Sequence, residues 1–377
     1  MVRIMNVREL FPLGKADGDA FCNREEETKK LIGNLENGKH TFIIAPRRYG
    51  KSSLCEHAFK CSGLSWNKVD FHLAITEKDV ERLLINAVLK LIGETVGQID
   101  RFTALIKEFV KNLKPKFSLS SEYMSLELEI SNQSSPAENI AEAILLLDKL
   151  LLENNKRAAL LLDEFQEVGA IAQGRGIEGA IRSAAQETKK LAIVFSGSNP
   201  HLLKRMFEDE RRPLYKLCRK LVLSRISDTH YRIHLNKAAK LMWEKTLEED
   251  VFQEIMKLSE HHPHYVNHIC DVLWSSELET PNIIAVQRAW NEVCEEEHSD
   301  LVKDFLSLSE NQKKIIKYIA TTEGDNLYSS AAARVMDIPQ GSVRGAIEQL
   351  LEKDFLYKQA DRFFLVIPLY KKILAEK

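Results

Sequence analysis

The sequence predicts an α/β fold, a parallel sheet with helices on both faces, followed by an all-helical stretch and a small helix-and-strand unit. Three observations carry this. The runs HTFIIAP (40–46), KVDFHLA (68–74), RAALLLD (157–163) and KLAIVFSGS (190–198) are almost continuously apolar, as strands buried on both faces are. The stretches between them are long enough for crossover helices. From about residue 226 the strand-like runs cease, and they return only near the C-terminus.

Within the first region, 1–225, one helix has a marked start. Ser135-Pro136-Ala137-Glu138 offers an N-cap serine, a proline at the first helical position and a glutamate at the third. The apolar run Ile144–Leu147 then lies inside the helix. Before it, Met124, Leu126, Leu128 and Ile130 alternate with Ser125, Glu127 and Glu129. That period of two predicts a half-exposed hairpin insertion over about 116–131. The second region, 226–306, reads as helix throughout. The third, 307–377, predicts helices at 309–320, 329–336 and 342–353, with a turn at Ile338-Pro339-Gln340-Gly341. Strand-like runs follow at Phe355–Lys358 and Arg362–Val366, the order of a winged helix-turn-helix.

Bulk properties bound the function. A chain of 377 residues predicts two or three domains. Its 44% apolar and 29% charged residues are those of an ordinary globular protein. A net charge of −2 supplies no global field toward nucleic acid or acidic membranes. Six cysteines without a C-x-x-C pair predict free thiols in a reducing compartment. The N-terminus lacks the apolar core of a signal peptide and no run is long enough to span a bilayer, so a cytoplasmic protein without membrane contact is expected.

The chemistry begins at Ala45-Pro46-Arg47-Arg48-Tyr49-Gly50-Lys51-Ser52, between a predicted strand and a predicted helix. This is the context of the phosphate-binding motif G-x-x-x-x-G-K-[ST], with Ala45 at the first glycine. Amides at the helix start, Ser53 included, bind phosphate oxygens, and Gly50 permits the turn that presents them. Lys51 reaches the β- and γ-phosphates, and the Ser52 hydroxyl is a ligand for Mg²⁺. Alanine disfavours positive φ, so an altered turn is expected at Ala45.

The run Ala158–Leu162 ends in Asp163-Glu164, the Walker B pattern. Asp163 is expected to hold the magnesium and Glu164 to act as general base; a helix cap is the plainer alternative. Asn67-Lys68-Val69-Asp70 matches the guanine-reading N-K-x-D. It comes too soon after the loop, so it is treated as chance and ATP is the expected nucleotide. Ser198, in Ser196-Gly197-Ser198-Asn199, is a candidate γ-phosphate sensor, with an N-cap as the alternative.

Two clusters invite other readings. His261, His262, His264 and His268 crowd together, and His264 and His268 have the i, i+4 spacing of zinc ligands on a helix. No nearby Glu or Cys in the sequence completes the set, so a turn with surface histidines is preferred. Residues 204–225 carry eight basic and three acidic side chains, a balance of +5. A solvated face, an arginine finger and a DNA contact all stay open there. The expected recognition helix, Ser342–Leu350, has a single arginine and a glutamate, thin for a major-groove reader. Protein contact or intramolecular packing is preferred over DNA for this unit.

With these motifs quoted, the chain resembles the archaeal-type ATPases of the STAND class of P-loop NTPases, a branch of the AAA+-like proteins. Phe21-Cys22-Asn23-Arg24-Glu25-Glu26-Glu27 is similar to the family's F-x-G-R-E-x-E opening, with Asn23 for glycine. Ala45–Leu54 and Leu162-Asp163-Glu164-Phe165-Gln166 resemble its two Walker segments. Phe195–Ser198 and Pro213-Leu214-Tyr215 resemble later boxes. His262-Pro263-His264-Tyr265 resembles G-h-P-Y-Y without the glycines. The resemblance implies an ASCE-type ATPase core, a helical lid and a C-terminal winged helix. It implies that Phe21, Arg24, His262 and Pro263 lie near the adenine. By analogy with the Pro-Leu-Tyr box, Arg212 and Arg219 are candidate fingers toward the chain's own nucleotide or a neighbour's in a homo-oligomer. The expected function is a slow ATP-hydrolysing switch, with a protein partner reached through the winged helix or hairpin. A DNA-handling ATPase and a regulator that binds ATP without hydrolysis are the rivals.

Overall fold

The computed structural model describes residues 7–96, 135–171, 175–322, 324–359 and 361–375. The hairpin expected at 116–131 lies outside them. Five parallel strands, β1 (Thr41–Ile44), β2 (Ser65–Asp70), β3 (Ala158–Asp163), β4 (Leu191–Ser196) and β5 (Arg219–Val222), form one sheet in the order β2-β3-β4-β1-β5. The phosphate-loop strand β1 and the acidic strand β3 thus flank β4, and their C-terminal ends emerge on the same edge.

The interior strands β1, β3 and β4 fall inside the runs that predict them, and every residue in them is buried. The two edge strands differ from expectation. β2 begins at Ser65, before the apolar run, and is mostly half-buried. β5 lies in the basic stretch and buries only Leu221. An edge strand needs little apolar character, so composition marks it poorly.

Alternation along the interior strands supplies two cores. Phe42, Leu160, Leu162, Ile193 and Phe195 face the helices Glu77–Val96, Pro136–Glu153 and Arg175–Glu187. Ile43, Ala159, Leu161, Ala192 and Val194 face Glu25–Glu36 and Lys51–Ser62. Helix Pro136–Glu153 starts where its sequence predicts, although Ser135 makes no side-chain bond to it.

Beyond the sheet come helices Asp228–Trp243, Glu249–Ser259, Pro263–Ser276 and Ile283–Leu306. Glu310–Thr321, Ser330–Val335 and Gln340–Glu352 follow, then an antiparallel ribbon of β6 (Leu356–Gln359) and β7 (Arg362–Leu365), and the helix Leu369–Ala375. Ser309 and Gln312 form a reciprocal capping box at the start of Glu310–Thr321. The third of these C-terminal helices begins at Gln340, so the turn before it is shorter than expected. One contiguous buried cluster joins Tyr231, Trp274 and Trp290 to Ile315, Ile347 and Tyr370. It also takes in Leu10 and Phe11, whose ring lies 4.7 Å from Trp274. By packing, therefore, the N-terminal stretch and the C-terminal elements belong with the helical segment. Among the described residues no helix is long and apolar enough to cross a membrane.

Candidate functional site

The loop after β1 turns on two left-handed residues, Arg48 (φ 61°) and Gly50 (φ 83°), and the helix Lys51–Ser62 starts at once. Ala45 is not left-handed. The turn expected to suffer from its side chain makes no such demand, and Ala45 packs in the core instead. The lost glycines elsewhere are different. Asn23 (φ 61°) and His261 (φ 58°) are left-handed, the conformation glycine adopts freely and asparagine tolerates best among the rest.

Lys51 is buried and donates to the carbonyls of Ala45 and Pro46, both at 3.2 Å. Burial pushes its pKa down, opposed by the nearby charges of Glu164, Asp354 and Asp163. A cavity of about 410 Å³ opens beside it, within the range of small-molecule sites. Phe21, Arg24, Arg47, Arg48, Tyr49, Gly50, Ser52, Ser53, Glu164, Ser198 and Pro263 border this space.

 Lys51 and His264 also line it. Arg24 is buried and donates to Glu27 (3.1 Å) and to the Tyr49 carbonyl (3.4 Å), fixing the loop to the N-terminal segment. Phe21 stacks on His57 at 4.3 Å.

The acidic pair divides its contacts. Asp163 is bound by Lys68 at 2.5 Å, by the Ser196 hydroxyl, and by the Glu164 amide at 3.2 Å. Burial pushes its pKa up, but these donors, Lys68 first, hold it below the usual carboxylate value. Glu164 adopts φ 51° and turns its Oε2 toward three donors: the Gln166 amide (2.6 Å), the Ser198 hydroxyl (2.7 Å) and the Ser198 N–H (3.1 Å). Gly197 makes this possible, since a Cβ there would stand 2.0 Å from Gln166 Oε1. Asn199, rather than Ser198, caps the next helix. The Ser52 hydroxyl and an anionic Asp163 are hard oxygen donors, the chemistry Mg²⁺ requires.

Several residues stand elsewhere than expected. His262 is buried edge-on to Tyr49 at 4.8 Å and borders a second cavity with Arg47, Arg48, Glu297 and Asp354. Ala45 and Pro46 border a third, shared with Tyr357. Arg212 is paired with the buried Glu178 and faces a separate cavity beside Gln166. It is not among the residues that border the cavity beside Lys51. Arg219 is exposed and registers with Thr41, at the start of β1. Three residues of strand, about 10 Å, separate that level from the loop, so the structure places Arg219 away from the cavity that Lys51 borders. Five of the eight basic residues in 204–225 are paired with carboxylates, which removes most of the free charge a DNA contact there would use.

Four other residues carry contacts that sequence reasoning passed over. Lys68, set aside with the chance N-K-x-D match, is the cation on Asp163. Arg225 joins Tyr49 Oη (3.1 Å) to Glu260 (3.1 Å) and lies over the Tyr357 ring. Glu297, from Ile283–Leu306, meets Arg48 at 2.9 Å. Asp354, just past Gln340–Glu352, meets Arg47 at 2.9 Å. The basic run contained Arg225, but nothing local marks the two carboxylates, which are distant in sequence from the loop.

No protein-family model matches the chain, and no curated protein matches it. Solved structures do. The Walker-type ATPase PABY2304 of Pyrococcus abyssi superposes with a TM-score of 0.70 at 18% identity, over 97% of this chain and 99% of that one. The ORC2 protein of Aeropyrum pernix, solved as ADPNP–ADP complexes, gives 0.54 at 14% identity over 98% and 97%. The ORC1 protein of the same organism, solved with DNA, gives 0.50 at 14% over 98% and 96%. With the parallel five-stranded sheet, these likenesses give the chain the α/β fold of the AAA+-like P-loop NTPases.

Proposed function

We propose that the protein binds ATP with Mg²⁺ and hydrolyses it slowly, as a switch of the STAND or AAA+-like kind. The observation that carries this reading is the meeting of Lys51, Glu164 and Ser198 on one cavity beside the left-handed turn at Gly50. Helix-start amides and Lys51 receive the phosphates. Lys51 now rests on loop carbonyls, which a phosphate oxygen would replace with a stronger, charge-assisted partner. Ser52 and Asp163 would hold the magnesium, whose charge offsets that of the phosphates. Glu164 serves as general base once a water takes the place of one Ser198 donor, and Ser198 then faces the γ-phosphate. Phe21, Arg24 and Pro263 line the outer part of the cavity, where the nucleoside would rest. Arg212 is left as a finger only toward a neighbour in a homo-oligomer.

In this reading the winged helix, 307–377, is docked on the ATPase core and the lid, 226–306, supports it. Asn199 donates to the Glu352 carbonyl at 2.5 Å, Arg205 pairs with Glu352, and Asp354 lies within the field of Lys51. A γ-phosphate and the Asp354 carboxylate repel, so triphosphate binding and docking oppose each other. DNA binding is disfavoured by the paired charges of 204–225.

Equilibrium ATP binding and phosphate release test the proposal on the parent, Lys51→Ala and Glu164→Gln. Lys51→Ala should lose about a hundredfold or more in ATP affinity, and Glu164→Gln should bind ATP while losing turnover. Full activity in Lys51→Ala would overturn the site. Turnover unchanged in Glu164→Gln would remove its role as base. Steeply salt-dependent DNA binding would favour the DNA-handling reading.

A further inference from the structure

His264 and His268 lie one turn apart on Pro263–Ser276, and the fold brings Glu297 of the next helix against them. The set that looks incomplete in the sequence is completed from a distance. One ligand atom of each residue lies within 4.8 Å of the other two. His264 Nε2 is 3.4 Å from Glu297 Oε1, and His268 Nδ1 is 4.0 Å from the same oxygen. A tetrahedral shell with bonds of about 2.0 Å spaces its donors by about 3.3 Å. One pair already meets that spacing, and small side-chain rotations close the remainder.

Two outer contacts suit the same purpose. Glu296 Oε2 lies 3.0 Å from His268 Nε2. It favours the tautomer with hydrogen on Nε2, which leaves a lone pair on Nδ1. That Nδ1 is buried and has no hydrogen-bond partner, in a residue only 5% exposed. A carboxylate behind a histidine whose other nitrogen is vacant is the outer shell of many zinc sites. The Tyr265 hydroxyl donates to Glu297 Oε2 at 2.9 Å and so turns Oε1 toward the histidines.

We propose that His264, His268 and Glu297 form a binding site for a zinc-like divalent transition metal, separate from the magnesium of the nucleotide. Its place is taken in this structure by a side chain: Arg48 Nη1 lies 2.8 Å from His264 Nε2 and 2.9 Å from Glu297 Oε1. The Arg48 side chain is 55% exposed, so it can swing away without losing much burial. The metal and the guanidinium are alternatives. Because Arg48 also borders the nucleotide cavity, metal binding frees a cation on the phosphate loop.

Cobalt(II), added to the full chain after chelator dialysis, tests this by its visible ligand-field bands, with zinc displacement as a second readout. One equivalent should bind with bands of tetrahedral intensity, and zinc should displace it. His268→Gln and Glu297→Gln should weaken binding at least tenfold, each checked for folding by circular dichroism. Arg48→Ala, at an exposed side chain, should strengthen it severalfold by removing the competitor. Absence of stoichiometric cobalt binding to both the parent and Arg48→Ala would overturn the site. So would binding that survives both ligand substitutions, or that is unchanged in Arg48→Ala.

Discussion

Arg47 and Arg48 are consecutive in the loop after β1, yet each reaches a different part of the chain, and the two carboxylates they meet are shifted in opposite directions. Arg48 meets Glu297, which also accepts from Tyr265 and contacts His264. Burial pushes the Glu297 carboxyl up, but His264, Tyr265 and Arg48 outweigh it and bring it down to about 2. Arg47 meets Asp354, which is 6% exposed, and neither Asp354 oxygen has a hydrogen bond of good geometry. Burial pushes Asp354 up to about 7, against the pull of Arg47 and Lys51. An arginine beside a carboxylate is thus not enough to settle its charge. The number of donors aimed at the oxygens decides. The Glu297 contact is a clasp between loop and helical segment, while the Asp354 contact is one the molecule holds at a cost.

The largest expected effect is on the clasp. Glu297→Ala leaves the buried Tyr265 hydroxyl and the half-exposed Arg48 guanidinium without their shared acceptor. A loss of about 2–3 kcal/mol is expected, chiefly the cost of stranding the buried hydroxyl. Urea unfolding followed by tryptophan fluorescence reads it, since Trp290 lies edge-on to Tyr265 at 6.0 Å. A loss below about 0.5 kcal/mol would erase the contrast between the two arginines.

Asp354→Asn should act in the opposite direction. At pH 8 the variant should be more stable than the parent by about 1–2 kcal/mol, and its ATP affinity should be severalfold higher because a negative charge near the phosphates is gone. The pH dependence follows from the raised pKa. Below the ordinary carboxylate range Asp354 is protonated whether folded or unfolded, so docking carries no charge cost. As pH rises from about 4 to about 7 the unfolded chain releases this proton more readily than the native one, and stability falls; above about 7 the cost is constant. The urea midpoint of the parent relative to Asp354→Asn should therefore decline across that interval and then level. A difference that is flat, or that grows in the parent's favour, would mean that residue 354 is solvated or well paired.

The same contrast explains what could be read from the sequence. Strands β1, β3 and β4, buried on both sides, are legible because burial writes itself as apolar runs. Of the edge strands, each open on one side, β2 is legible only in part, its expected run overlapping the strand at 68–70, and β5 not at all. Within the candidate site, Lys51, Ser52, Asp163 and Glu164 are legible because they stand at fixed offsets from the ends of two apolar runs, β1 and β3. Asp354 and Glu297 are illegible because each is an ordinary acidic residue brought to the loop from far along the chain. Asn23 and His261 lie between these extremes. The missing glycines are visible in the sequence, but only the backbone shows that the left-handed turns persist without them.

The smallest effect sharpens the comparison most. Arg47 is 64% exposed on its side chain, so water and salt screen its pairing, and Arg47→Ala should change stability by less than about 1 kcal/mol. Yet it is the charge that most lowers the pKa of Asp354. Without it the carboxyl should hold its proton to higher pH. The decline in stability relative to the matching Asp354→Asn double variant should then extend upward by a fraction of a pH unit. High salt should move the parent the same way, since screening weakens the same attraction. The double variant supplies the control, because it has no carboxyl to titrate. An interval that stays put in Arg47→Ala would assign the counter-charge to Lys51 instead, and would tie docking of the C-terminal elements directly to the lysine proposed to receive the phosphates.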